Sequence, residues 1–126
     1  MHSSWIIAVV VVVAFFVYRW WSGRGVNKLT GPALEARLKE KPTSIEVIDV
    51  REPHEYKGGH IAVAKNIPLG QLDGKLGSLP KDKDVVFVCR SGSRSMMACN
   101  KAKKAGLKSI YNLSGGMTAW HGAVRR

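Results

Sequence analysis

At 126 residues the chain has room for one domain of roughly 100 residues and an appendage, but not for two cores. Its 20 Lys and Arg against 9 Asp and Glu leave a net charge of +11, which favours anionic partners; the cations are dispersed and lack the aromatic interleaving of a single-strand platform, which argues against nucleic acid. The 2 cysteines do not make a disulfide framework, and free thiols favour a reducing, cytosol-facing setting.

Trp5 to Tyr18 is apolar without a break. A helix from Trp5 to Trp21 would run about 25 Å, close to a hydrocarbon core of ~30 Å. Trp5, Tyr18, Trp20 and Trp21 suit the two interfaces, and Arg19 can snorkel outward. A signal peptide fits poorly, because only Met1-His2-Ser3-Ser4 precedes the run and Tyr18-Arg19-Trp20-Trp21 follows it. The run is also too long for one core strand. Residues 1–21 are therefore expected to be a transmembrane anchor. Arg19, Arg24 and Lys28 on its carboxyl side predict a single pass with the following domain on the cytoplasmic face and anionic lipid as a partner. Ser22-Gly23-Arg24-Gly25 reads as a linker, and residues 26–126 as the domain.

Within that domain Val26–Leu29 reads as a short strand. Thr30 or Gly31 caps a helix with Pro32 in its first turn, and Lys41-Pro42 stops it. Ile45 to Val50 is a β-branched strand ending in acid, and Pro53 opens a short helix broken at Gly58-Gly59. Ile61 to Pro68 is expected to hold a third strand. Gln71 to Leu79 is expected to form a short amphipathic helix on Leu72, Leu76 and Leu79. Val85–Val88 is a buried strand, Ser93–Ala105 a helix with Gly106 as its stop, and Lys108–Leu113 a last strand before a turn at Met117–Trp120. Strands alternating with helices predict an α/β, three-layer domain around a central, mostly parallel sheet.

The stretch Cys89-Arg90-Ser91-Gly92-Ser93-Arg94-Ser95 joins the Val85–Val88 strand to the helix after it. A cysteine at the carboxyl end of a buried strand, feeding a helix N-terminus, sits where open α/β sheets place ligands. The helix dipole, backbone amides and cations all favour the thiolate. Gly92 lets the backbone curl into a nest, Ser91, Ser93 and Ser95 add hydroxyls, and Arg90 and Arg94 add charge. Such a cradle suits a thiolate, a persulfide or an incoming oxyanion. Cys99 lies roughly 10 Å along the helix, beyond disulfide reach, and reads as core packing. The 4 histidines are scattered without metal-ligand spacing.

Taken with Val47-Ile48-Asp49-Val50-Arg51-Glu52, Glu55-Tyr56, Gly59-His60-Ile61, Asn66-Ile67-Pro68-Leu69, Leu113-Ser114-Gly115-Gly116 and Trp120, this loop resembles the rhodanese family of sulfurtransferases over about residues 26–123. The layout is similar to that of small membrane-anchored bacterial members. The resemblance implies that Cys89 accepts sulfur, that Arg90 to Arg94 provide the amide cradle, and that Asp49 and Arg51 are the charged pair beside the site. A plain salt bridge holding two loops is an equal reading of that pair. It also implies a small anionic sulfur donor such as thiosulfate and a cyanide or cellular-thiol acceptor, with a sulfur-relay protein as a possible partner and no cofactor. Related phosphatases carry Cys-x5-Arg, whereas here Arg94 follows Cys89 after four residues and Ser95 stands sixth. The alternative to an enzyme is a membrane-tethered persulfide carrier or docking module with little turnover.

Overall fold

The structure, a computed structural model, describes residues 3–23 and 26–126, with only the helical backbone of residues 19–23. Its first element is α1 (Ser4–Gly23). The expected membrane-spanning helix is not upheld: among the described residues no helix is long and apolar enough to cross a membrane. The apolar side chains that are described, Trp5 to Tyr18, cover about 21 Å of helix axis against a ~30 Å core. The side chains of Arg19, Trp20 and Trp21, and the linker residues Arg24 and Gly25, lie outside the described residues. Ser22 and Gly23, expected in the linker, belong to α1.

A five-stranded sheet forms the centre of the domain. Its strands are β1 (Val26–Leu29), β2 (Ile45–Asp49), β4 (Lys65–Asn66), β5 (Asp84–Val88) and β6 (Ile110–Leu113), in the order β1-β6-β5-β2-β4. Every pairing in it is parallel. β5 therefore lies in the middle, with β2 and β6 on either side. Alternation along β5 sends Val85, Phe87 and Cys89 to one face and Val86 and Val88 to the other. The first face packs under α4 (Ser93–Lys104) and the 3-10 turns Leu69–Gly74 and Leu76–Ser78. The second holds Leu34 of α2 (Gly31–Glu40), Ile61 and Trp120, with Tyr56 of α3 (Pro53–Lys57) against them. α2 starts as its sequence predicts, since Thr30 Oγ1 accepts the Ala33 N–H at 3.3 Å and Pro32 occupies the first turn.

Three local expectations change. The stretch Ile61–Pro68 is not one strand: β3 (His60–Ile61) pairs antiparallel with β7 (Val124–Arg125), while β4 joins the main sheet beside β2. An Ala-Val-Ala turn separates them, with Ala64 N–H donating to Ile61 O. The Gln71–Leu79 helix is instead a pair of 3-10 turns, because Gly70, Gly74 and Gly77 weaken α-helix propagation. Leu72, Leu76 and Leu79 are still buried there. The final turn is likewise 3-10, Gly116–Ala119.

Phe87 is fully buried in the middle of the central strand. Phe87→Ala leaves a cavity with rigid walls and should cost about 3–5 kcal/mol, measured as a shift in the denaturant midpoint of the full chain at unchanged slope.

Candidate functional site

Val50 N–H donates to Val88 O at 2.9 Å, which carries the β2–β5 ladder one residue past the strand ends. Cys89 comes next and keeps the alternation, so its sulfur enters the face beneath α4. Gly92 then adopts φ +113, a left-handed conformation that a side chain would strain, and α4 starts at Ser93. The turn brings the Gly92 N–H to 3.0 Å from Cys89 Sγ and the Ser95 Oγ to 3.3 Å. Ser95 is the one loop serine whose hydroxyl reaches the sulfur; Ser91 and Ser93 have exposed side chains. Arg90 is exposed as well.

Cys89 is 0% exposed. Burial alone would push its thiol up. The Ser95 hydroxyl and the amides of Ser95, Gly92 and Ser91 outweigh that and hold it below its ordinary value. Cys99 is the opposite case: burial, with the nearby Cys89 charge, pushes it up to about 12. It packs in the core with its Sγ 3.5 Å from Tyr111 O. Both cysteines are free thiols.

Neighbouring elements fasten the loop from outside. Met117 N–H donates to Cys89 O at 2.9 Å and Thr118 N–H to Arg90 O at 3.1 Å. This close approach needs Gly116, which has φ +53 and where a Cβ would fall 2.3 Å from Cys89 O. Gly116, one of the residues that carry the resemblance, thus bears directly on the loop. Asn112 of β6, a residue not singled out from the sequence, donates through Nδ2 to Gly92 O at 3.2 Å and accepts the Ser95 hydroxyl at 2.5 Å. Its signal was a polar residue in an otherwise apolar strand, on the same face as Ile110. Asn112 is 7% exposed.

Arg94 does not point to the sulfur as its place in the cradle suggests. Its guanidinium makes a two-pronged bond to Glu55 of α3, at 2.7 and 3.0 Å. Arg51 and Asp49 form a second fork at the end of β2, Nε to Oδ1 at 3.0 Å and Nη2 to Oδ2 at 2.8 Å, and Arg51 also donates to Gly59 O. Asn66 Nδ2 donates to the carbonyls of Asp49 and Arg51. The pair ties the end of β2 to the turn before β3. Arg51, Glu55, Arg90 and Thr118 line an open cleft of about 330 Å³ beside the loop. Among the described residues no group of three His, Cys, Asp or Glu is placed to hold a metal ion.

Glu55 falls from 4.5 to about 2, chiefly because Arg94 hydrogen-bonds its carboxylate, with the Glu52 amide and the charges of Arg94 and Arg51 adding to this against burial. A carboxylate with a depressed folded-state value contributes stability that is present above pH 4.5 and is lost as pH falls through about 2. Both partners are partly exposed, so solvent screens much of this contribution. Glu55→Gln should therefore flatten the stability–pH curve between those limits and leave its shape above pH 5 or so unchanged, read by denaturation at a series of pH values.

A buried thiol inside a ring of donors is built to become an anion and attack, or to carry a transferred group. Residues 31–123 match the rhodanese-like domain family. The YqhL protein of Bacillus subtilis (strain 168) is 34% identical over 119 residues, covering 94% of each chain. A sulfurtransferase of Allochromatium vinosum is 36% identical over 95 residues, 75% of this chain and 88% of that one. The crystal structure of a rhodanese-related protein from Thermoplasma volcanium matches with a TM-score of 0.70 at 31% identity, over 79% of this chain and 97% of that one. Loop, sheet order and relatives agree, and the chain belongs to the rhodanese-like family.

Proposed function

We infer that this protein is a sulfurtransferase that carries sulfur as a persulfide on Cys89. The observation that carries the reading is the sulfur's own position, buried at the head of α4 with the Gly92 N–H directed at it and the Ser95 Oγ 3.3 Å away. In the first step the Cys89 thiolate attacks the outer sulfur of a donor such as thiosulfate. The Sγ–S bond forms, the donor's S–S bond breaks, and sulfite leaves with the electron pair. In the second step cyanide or a thiolate attacks the outer sulfur, the Sγ–S bond breaks, and the Cys89 thiolate is restored. Each step is a displacement at sulfur, and the two alternate as ping-pong kinetics. Arg90, exposed at the cleft, supplies a cation for the anionic donor and for the departing sulfite. The same cleft is open enough to meet a thiol presented on a relay protein. The A. vinosum relative is named a sulfurtransferase, which supports the reading.

Full-length protein assayed with thiosulfate and cyanide should turn over, and Cys89→Ser should lower that rate more than about a thousandfold. Undiminished turnover in Cys89→Ser would sink the assignment. A gain of one sulfur atom on Cys89 without turnover would favour the carrier reading.

We further propose that the domain is held at a membrane. Every described side chain of α1 is exposed, and from Trp5 to Tyr18 they are apolar, an area of the kind that marks a lipid or protein contact. The cations after the apolar run favour a cytoplasmic domain at a bacterial inner membrane. Full-length chain should sediment with membranes and resist carbonate extraction, whereas a chain lacking residues 1–21 should stay in the supernatant. A full-length chain found in the supernatant would refute the anchor.

A further inference from the structure

The Ser95 hydroxyl has one hydrogen and three acceptors within reach: Asn112 Oδ1 at 2.5 Å, Gly92 O at 3.1 Å and Cys89 Sγ at 3.3 Å. The orientation of the Asn112 amide is set by Gly92 O, which needs the Nδ2 donor at 3.2 Å. Oδ1 must then face Ser95. Two oxygens that close repel without a hydrogen between them, so the hydrogen rests on Asn112. The lone pairs of Ser95 Oγ are left facing the sulfur. That arrangement accepts an S–H from a neutral thiol and opposes a bare thiolate.

We propose that the Ser95 hydroxyl is a two-position switch set by Asn112, resting on Asn112 whenever Cys89 Sγ is uncharged and turning to the sulfur when it becomes a thiolate. The proposal rests on the sulfur-transfer reading for its consequence. In a persulfide the negative charge sits on the outer sulfur, so Sγ no longer needs the Ser95 hydrogen and Asn112 recovers it. Asn112 thereby favours the loaded cysteine over the empty thiolate. It never touches the transferred sulfur, and is a positioning residue acting through Ser95. Gly92 O keeps its bond from the Met96 N–H in either state, so the turn does not depend on where the hydroxyl points.

The groups whose charge acts with Cys89 are Arg94 of α4, held by Glu55 of α3, and Cys99; Asp49 of β2, locked to Arg51, acts on Arg94, and Arg90 is exposed on the loop. None of these changes in the variants below. The test is the pH dependence of Cys89 alkylation by iodoacetamide in the full-length protein, followed on the Cys89 peptide by mass spectrometry. Asn112→Ala frees the Ser95 hydrogen for the thiolate and should lower the midpoint by about one pH unit, which is about tenfold faster labelling well below it. In a Ser95→Ala background the same substitution should leave the midpoint in place. An unmoved midpoint in Asn112→Ala, or equal shifts in both backgrounds, overturns the switch. Asn112→Asp keeps the acceptor and decides the matter should Asn112→Ala fail to fold. It should raise the midpoint, and by less once Ser95 is gone; an equal rise in both backgrounds overturns the proposal. Alkylation needs no sulfur donor, so absent thiosulfate turnover does not bear on it, and a failed switch leaves sulfur transfer on Cys89 intact.

Discussion

The carbonyls of the Cys89 loop are tied down outside it, and the site depends on that. Val88 O takes the Val50 N–H, Cys89 O the Met117 N–H, Arg90 O the Thr118 N–H, and Gly92 O the Met96 N–H and the Asn112 amide. A buried carbonyl without a donor would cost about 1–3 kcal/mol, so these bonds fix which way each peptide faces. With the acceptors turned outward, the amides are left to converge on the sulfur. The convergence is thus a by-product of satisfying β2, β6 and the turn after it. That is why Gly116 matters: a Cβ there would push away the very turn that holds Cys89 and Arg90.

Stabilisation of an anion by such dipoles differs from stabilisation by charge. The two best-placed cations already have partners, Arg94 on Glu55 and Arg51 on Asp49, so each site-facing pair is close to neutral. Amides and one hydroxyl are left to offset burial at Cys89. Because they lie within bonding distance of a fully buried atom, salt screens them little. Cys99 is the control within the same fold. It is buried on the same face without a nest of donors, and its thiol goes up instead of down.

The strand-loop-helix at Cys89 was legible because its signals are local: a β-branched run, a cysteine, Gly92 and a helix-forming segment closed by Gly106. The caps at Thr30 and Pro32 were legible for the same reason. What escaped depends on residues distant in the chain. Asn112 reads as an odd polar residue in a strand until β6 is placed beside β5. Arg94 reads as a free cation until α3 brings Glu55 to it across 39 positions. β7 is too short to carry an alternation, and it exists only because β3 offers an edge. Counting leucines found which side of Gln71–Leu79 is buried, but the three glycines decided which kind of helix forms.

Loop length ties these points together. In a ring with five residues between cysteine and arginine, the arginine closes over a bound oxyanion. Here four residues intervene, and Arg94 is drawn to Glu55, leaving the ring to close on the sulfur atom itself through the Gly92 N–H and Ser95. The ion pair and the short loop are therefore one adaptation. With the guanidinium outside the ring, the donors nearest the Cys89 sulfur are an amide and a hydroxyl, and Glu55 gives that guanidinium its partner. Glu55 itself lines the cleft beside the loop, together with Arg51 and Arg90. The fold thus separates two environments: dipoles surround the Cys89 sulfur inside, and charged side chains line the open cleft outside.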